Sequence, residues 1–184
     1  MKKLLKLIAP RKETYVEKTP NDVYRNVATD AEGFDAEDIA KIGGVESQHG
    51  EFDKPLKGGS ARGLFQFQPQ TAEELIEGSS ESLGDINTQE ELMKKSLQKN
   101  NPENVEDAYL AHNLGRTGSK RFISADESEP VENVMSRAVI EANPGLYKGK
   151  TVGEARAAIR EKLEQGEDTS EIRPSFKELL TGRR

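Results

Sequence analysis

Asp35-Ala36-Glu37-Asp38-Ile39-Ala40-Lys41-Ile42-Gly43-Gly44-Val45-Glu46-Ser47 sets the fold class of this chain. Asp35 suits a helix N-cap, because its carboxylate can accept a hydrogen bond from the unpaired amides of the first turn. Ile39, Ile42 and Val45 then recur at threefold spacing, which makes an inward stripe on a helix. The same pattern extends on both sides. Thr19-Pro20-Asn21-Asp22 supplies a cap and then Pro at the first helical position, opening a helix to about Thr29, and Gly33 breaks the chain after it. Pro69 opens another helix through about Glu77, which Gly78-Ser79-Ser80 ends. Thr88-Gln89-Glu90-Glu91 reads as a capping box for a helix bearing Leu92, Met93 and Leu97. Asn100-Asn101-Pro102 stops that helix. A further one is expected from about Glu103 to Asn113, with Gly115 and Gly118 marking a turn before Phe122-Ile123.

Residues 124–130 are acidic and Ser-rich, the composition of a linker. Beyond them a helix near Val131–Ala142, a turn at Asn143-Pro144-Gly145 and a second capping box at Thr151-Val152-Gly153-Glu154 are expected. The last helix runs to about Gln165, and Phe176, Leu179 and Leu180 form a short final helical patch after Arg173-Pro174. No internal repeat is visible. The chain therefore reads as all-α, with at most a small β ribbon near residues 55–68. Its expected organisation is a flexible N-terminal arm over 1–18, a compact unit over 19–124 and a helical C-terminal extension over 125–184.

Composition narrows the function. Apolar and charged residues each make up 33% of the 184 residues, and the mean hydropathy is −0.79. That is lean for a packed core and suits a compact middle with loose ends. The net charge of −6 and the scattered Lys and Arg exclude a nucleic-acid surface, which needs clustered cations. There is no Cys, so disulfides, Cys–zinc sites and thiol nucleophiles are excluded. There is no Trp, so a carbohydrate platform of indole rings is excluded too. His49 and His112 do not have metal-ligand spacing, and neither metal nor cofactor is expected. Met1-Lys2-Lys3-Leu4-Leu5-Lys6-Leu7-Ile8-Ala9-Pro10 begins like a secretory signal, but its apolar stretch is short, is interrupted by Lys6 and lacks a small-residue cleavage site. No segment approaches the ~20 apolar residues of a membrane span. A soluble protein that is not exported by the usual route is expected.

Glu46 stands at the C-terminal end of its helix. There it faces the negative end of the macrodipole, which disfavours a charged carboxylate. Desolvation by the nearby Leu64-Phe65 patch would act in the same direction. A carboxyl held protonated is what a general acid requires. By its residues alone, Glu46 reads first as an exposed Glu at a frayed helix end.

Three blocks in order extend the case: Glu46-Ser47; Ser60-Ala61-Arg62-Gly63-Leu64-Phe65-Gln66, continued by Pro69, Thr71 and Ala72; and Ala111-His112-Asn113-Leu114-Gly115. Together, residues from about 36 to 123 resemble the soluble lytic transglycosylase catalytic domain, a goose-type, lysozyme-like α fold. The second block is similar to that family's Ala-Arg-Gly-Leu-Met-Gln segment and the third to its Ala-Tyr-Asn-Ala-Gly. The resemblance implies a catalytic role for Glu46 and substrate-binding roles for Ser47, Phe65, Gln66, His112 and Asn113. Glu46 would protonate the oxygen between N-acetylmuramic acid and N-acetylglucosamine in peptidoglycan. It would then take the proton of the muramic acid C6 hydroxyl as that oxygen closes on C1 to give a 1,6-anhydro sugar. The nucleophile is intramolecular, so no second carboxylate is needed. Gly63 would let backbone approach the sugar, Leu64 and Phe65 would form an apolar floor, and Gln66 would hydrogen-bond sugar substituents.

Two features depart from the family pattern. His112 stands where the family usually has a Tyr that contacts the catalytic Glu, and its imidazole N–H could replace that donor. A protonated His112 would instead hold Glu46 ionised. Tyr109 lies on the same helical face and offers another hydroxyl, or is a core Tyr with its OH at the surface. The loop between Glu46 and Gly63 is slightly long and carries Glu51 and Asp53. These are solvated loop residues, or one of them activates a water, which would make the enzyme a muramidase of the same fold. A third possibility, of another class, is a structural virion or assembly protein that keeps the fold with little activity.

The Asn143-Pro144-Gly145-Leu146-Tyr147-Lys148-Gly149-Lys150-Thr151 region is similar to segments that follow such modules in phage virion proteins. That likeness implies a phage particle as the location, opening the cell wall locally, with peptidoglycan strands and other virion proteins as partners.

Overall fold

A computed structural model describes residues 17–51 and 59–168. The described residues are predominantly helical and form no sheet, as expected for an all-α protein. In order, the helices are α1 (Pro20–Asp30), α2 (Ala36–Ser47), α3 (Pro69–Leu75), a 3-10 turn (Ser79–Ser82), α4 (Ile86–Asn100), α5 (Val105–Ile123), α6 (Val131–Val134), α7 (Arg137–Ala142), α8 (Pro144–Tyr147) and α9 (Val152–Asp168). Most of the flexible arm expected over 1–18, together with Asp53 and the final patch around Phe176, Leu179 and Leu180, lies outside the described residues. So does the start of the β ribbon expected near 55–68. Its described part holds a single antiparallel bridge, Arg62 with Phe67.

Local chemistry sets the helix starts. Thr19 and Asp22 close a full capping box on α1, and Asp35 and Asp38 do the same on α2. Thr151 and Glu154 exchange the same reciprocal bonds at the start of α9, at 2.9 and 3.3 Å. α4 begins earlier than Thr88. Asp85 is its cap, accepting from the Asn87 and Thr88 amides at 3.0 and 2.9 Å, so Thr88 is already inside the helix. An Asp is as good a cap as a Thr, and the Asp85 carboxylate reaches two orphan amides where a Thr88 hydroxyl reaches one. The turn expected at Gly115 is a break within α5, where Gly115 takes φ 67° and ψ 170°. The helix expected over Val131–Ala142 is two pieces, because Met135 is extended and Ser136 caps α7.

Residues 125–168 are not loosely attached. The Glu129 and Glu127 carbonyls accept from the Val152 and Gly153 amides at 2.9 Å each, and Val131 N–H donates to the Lys150 carbonyl at 3.0 Å. The acidic stretch expected as a linker is thus stapled to the start of α9. One continuous apolar cluster runs from Val23, Val27, Ile39 and Ile42 through Phe65, Leu92 and Leu110 to Tyr147, Val152, Ile159 and Leu163. α9 lies against α2 and α5. Among the described residues, no helix is long and apolar enough to cross a membrane.

The crossing of α2 and α9 is very close. A Cβ on Gly44 would stand 2.3 Å from the Gly166 carbonyl oxygen, and one on Gly166 would stand 2.6 Å from the Lys41 carbonyl oxygen. Glycine is required on both helices for backbone to touch backbone. His49 fastens the same crossing. Its Nε2 donates to the Gly166 carbonyl at 3.1 Å, which leaves Nδ1 to accept the Tyr24 hydroxyl at 2.9 Å. Burial pulls the His49 imidazole below the usual histidine range, against the smaller opposing pull of the Gly166 carbonyl and the Glu51 charge.

Candidate active site

Glu46 is the penultimate residue of α2 and is partly exposed. The chain turns sharply just after it. Gln48, His49 and Gly50 are all left-handed, with φ of 49°, 58° and 90°. Two non-glycine residues in succession in that region carry steric strain, which structures retain only where the surroundings enforce it. Here Ser47 and His49 enforce it. The Ser47 hydroxyl donates to the Leu64 carbonyl at 2.6 Å and accepts from the Gly50 amide at 2.8 Å.

The second block is a tight turn closed by the Arg62–Phe67 bridge and by a Gln66 N–H to Gly63 carbonyl bond of 3.1 Å. Gly63 takes φ +80°, and a Cβ there would meet the Gln89 amide group and the Leu83 carbonyl at about 2.4 Å. Gln89, on α4, is the peg that holds this turn. Its Oε1 accepts from the Phe65 amide at 2.8 Å, and its Nε2 donates to the Leu83 and Arg62 carbonyls at 2.8 and 3.2 Å. The sequence placed Gln89 only within a capping box and gave no sign of this role, because its partners in the turn lie 24 and 27 residues away.

An open groove of about 830 Å³ runs beside the turn, with Phe67, Gln68, Lys99, His112, Asn113 and Arg116 among its lining residues. The Asn113 Nδ2 donates to Glu46 Oε1 at 3.5 Å and to the Tyr109 carbonyl at 3.3 Å. Asn113 is thus the link between the groove and Glu46, which itself stands just behind the groove wall. The His112 ring meets the Phe67 ring edge-on at 4.7 Å, and its Nδ1 is buried with no hydrogen-bond partner. Among the described residues nothing pairs with that ring nitrogen, and a buried unpaired polar atom is costly.

Of the six residues singled out from the sequence, the fold sets His112 and Asn113 on the groove and joins Glu46, which does not itself line it, to Asn113. The other three neither line the groove nor bond to a residue that does. Ser47 is 1% exposed, with its hydroxyl committed to backbone, and Phe65 is fully buried with its ring 6.1 Å from that of Tyr24. Gln66 is buried at the left-handed corner of the turn (φ 49°), and its Nε2 donates to the Gly63 carbonyl at 2.9 Å. Their places follow from the turn itself, which must bury apolar and amide groups to hold its shape. Phe67 takes the groove-facing apolar position expected of Phe65. Glu51 is exposed. Among the described residues, no group of His, Asp and Glu is arranged to hold a metal ion.

Three further groups interact electrostatically with Glu46, of which Tyr109 was foreseen and Tyr147 and Lys162 were not. Tyr109 is 1% exposed, and its hydroxyl accepts from Lys162 Nζ at 3.0 Å, so it is a core Tyr whose OH is not at the surface. Tyr147, from α8, is fully buried, and among the described residues its hydroxyl has no partner. Burial raises the Tyr109 hydroxyl well above the usual range, and the negative charge of Glu46 adds to the rise. The Tyr147 hydroxyl is pushed up to about 12 by burial, again with help from Glu46. Burial lowers the Lys162 ammonium, while Glu46 pulls the other way. Two of these groups come from beyond residue 124, a region in which the sequence offered no catalytic chemistry. No known family model matches this chain, and no curated protein matches it either.

Proposed function

We propose that this chain is a peptidoglycan lytic transglycosylase, with Glu46 as its single acid and base. The observation that carries the proposal is the Asn113 bridge, which ties Glu46 at the end of α2 to the wall of an open groove. Support also comes from the three sequence blocks that resemble the transglycosylase domain. They meet at this place, through the Ser47–Leu64 bond and the Glu46–Asn113 bond. A lysozyme-like arrangement of the helices belongs to the same proposal.

The steps balance with one carboxyl. Glu46 gives its proton to the glycosidic oxygen, the bond from C1 to that oxygen breaks, and the electron pair leaves with the oxygen. The muramic acid C6 oxygen then bonds to C1, and its proton passes to Glu46, which restores the acid. No water is consumed. Asn113 orients the carboxyl, and the polar groove walls suit a hydroxyl-rich strand. The proposed setting is a phage particle that opens the host wall locally. Recovery of the protein from purified virions supports that location, and its confinement to bacterial periplasm refutes it.

The deciding experiment is a digest of purified peptidoglycan by the wild type and by Glu46→Gln, with products weighed by mass spectrometry. Products one water lighter than muramidase products, lost at least a thousandfold in the variant, are expected. Full-mass reducing ends would mean a hydrolase and would direct attention to Glu51 and Asp53. A folded wild type that yields no product would leave a structural protein.

A further inference from the structure

The groove is charged against the sign of the molecule. Among the described residues that line it, Lys99 and Arg116 are cations and Glu74 is the single carboxylate, whereas the whole chain carries −6. The two cations come from different helices, α4 and α5, and border one space. Among the described residues neither side chain has an ion-pair or hydrogen-bond partner. Lys94, five residues earlier on α4, shows the contrast, since Glu90 and Asp30 hold it at 2.8 Å each. Glu74 accepts instead from Gln70 Nε2, at 3.2 Å. Gly115 explains how α5 offers so much of itself to the groove. Residues 111–117 line it in unbroken succession. A regular helix turns about 100° per residue and shows only part of such a run to one side. The break at Gly115, with φ 67° and ψ 170°, is a conformation kept for glycine. It lets the chain on both sides of it, Arg116 included, border the same space.

We propose that Lys99 and Arg116 form an anion subsite of the groove, which takes a carboxylate carried by the muramic acid and so sets a preference for peptidoglycan over uncharged chitin-type strands. This rests on the groove being the glycan site of the function above. The strand itself is made of neutral N-acetyl sugars, for which hydroxyls and amides suffice as partners. Its carboxylates hang from the muramic acid, on the bare lactyl ether or on the peptide that extends it. Both sources present the same group to the protein. An ammonium and a guanidinium suit that group, the guanidinium through two parallel N–H···O bonds. Lys99 and Arg116 are exposed where His112 and Asn113 are half-buried, so the cations stand at the rim, where a side substituent rather than a sugar ring would lie. The acidic remainder of the surface repels a carboxylate-bearing strand, which leaves the groove as the place that draws it in.

The test measures binding by calorimetry to full-length Glu46→Gln, which is expected to hold glycan without cleaving it. Three hexasaccharide probes are compared: uncharged chitohexaose, an N-acetylglucosamine–N-acetylmuramic acid strand with bare lactyl groups, and the same strand with its peptide stems. At low salt a carboxylate-bearing strand is expected to bind about tenfold more tightly than chitohexaose, and the advantage should shrink in about 0.5 M salt. The tighter of the two strands names the source of the carboxylate. Adding Lys99→Gln and Arg116→Gln together should abolish the advantage and leave chitohexaose binding within about twofold. Both side chains are exposed, so the fold is not at stake. Lys120→Gln removes an equal charge about one turn beyond Arg116 and outside the groove, and should keep the advantage. An advantage that is absent, that survives the double substitution or that Lys120→Gln removes as well overturns the proposal. A wild type that makes anhydro product but shows no carboxylate preference keeps the transglycosylase reading and loses the subsite. A preference that depends on Lys99 and Arg116, with no anhydro product from the wild type, keeps the subsite and loses the transglycosylase.

Discussion

Gln89 is one polar side chain in a buried place, and it makes three hydrogen bonds there, two to backbone groups of the Arg62–Phe67 turn and one to the Leu83 carbonyl just before its own helix. Exchanging it for Met keeps the volume and removes all three. The Phe65 amide and the Leu83 carbonyl are then left in the interior with no alternative partner. An unsatisfied buried group costs about 1–3 kcal/mol, so Gln89→Met should lose roughly 3 kcal/mol in urea unfolding. Because the turn positions Phe67 against His112, groove binding should weaken as well; an unchanged denaturation midpoint would show that the peg is dispensable. The residue scale is also where the sequence was least legible. Glu46 and Asn113 could be picked out because each belongs to a block with its own local pattern. Gln89 and Lys162 could not, since their side chains bond partners 24 to 53 positions away along the chain, as Gln89 to Phe65 and Lys162 to Tyr109 illustrate. Conversely, Ser47, Phe65 and Gln66 sit in the right block but serve the turn's own packing.

Helix starts were legible because caps are local chemistry: Thr19, Asp35 and Thr151 act where their side chains alone would place them. α4 shows the limit, since Asp85 and Thr88 are both sound caps and only geometry selects Asp85. The pairing of α1 with α4 lay further beyond the sequence. Glu90 is 5% exposed and accepts from Lys18 Nζ at 2.7 Å, Lys94 Nζ at 2.8 Å and Asn26 Nδ2 at 3.0 Å, while Lys94 also meets Asp30 at 2.8 Å. Burial alone would raise the Glu90 carboxyl, but the hydrogen bonds from Lys18, Lys94 and Asn26 outweigh it and hold the group below its ordinary value. A carboxyl whose folded value is depressed adds stability above its unfolded value, about 4.3, and loses that contribution as pH falls through the folded value. His49 acts in the same sense. Its folded value is lowered, so its protonation as pH drops below the usual range of about 6.5 also favours unfolding. Stability should therefore decline from near pH 6.5 downward, most steeply below pH 4.3. Glu90→Gln should cost about 2 kcal/mol at neutral pH and flatten the steep acid part of the profile. Thermal melts of both proteins from pH 3 to 7 check this, and parallel profiles would remove Glu90 as the cause.

At the scale of the whole molecule, the division into a compact unit over 19–124 and an extension over 125–184 can be weighed against the energetics of the core. Composition favoured that division, because residues 124–130 are acidic, Ser-rich and short of apolar side chains, and such stretches usually carry little packing. What composition could not convey is that the Glu127 and Glu129 carbonyls bond the start of α9 and that Gly166 ends up on the backbone of α2. Tyr147, Val152, Ile159 and Leu163 are all at most 3% exposed and belong to the same apolar cluster as Ile39, Ile42 and Leu110. Burying a large apolar side chain contributes about 1.5–3 kcal/mol, so these four supply on the order of 8 kcal/mol. A domain is usually stable by only about 5–15 kcal/mol, and removing them would take most or all of that. The loss would fall on α2 in particular, since α9 covers Gly44 and fixes His49, the residue that follows the Glu46 turn. A chain stopped at residue 124 should therefore lack a cooperative thermal transition and be cut rapidly by protease within α2. If the shorter chain instead melts cooperatively and still binds glycan, residues 19–124 fold alone, and Lys162 and Tyr147 become additions to a complete site.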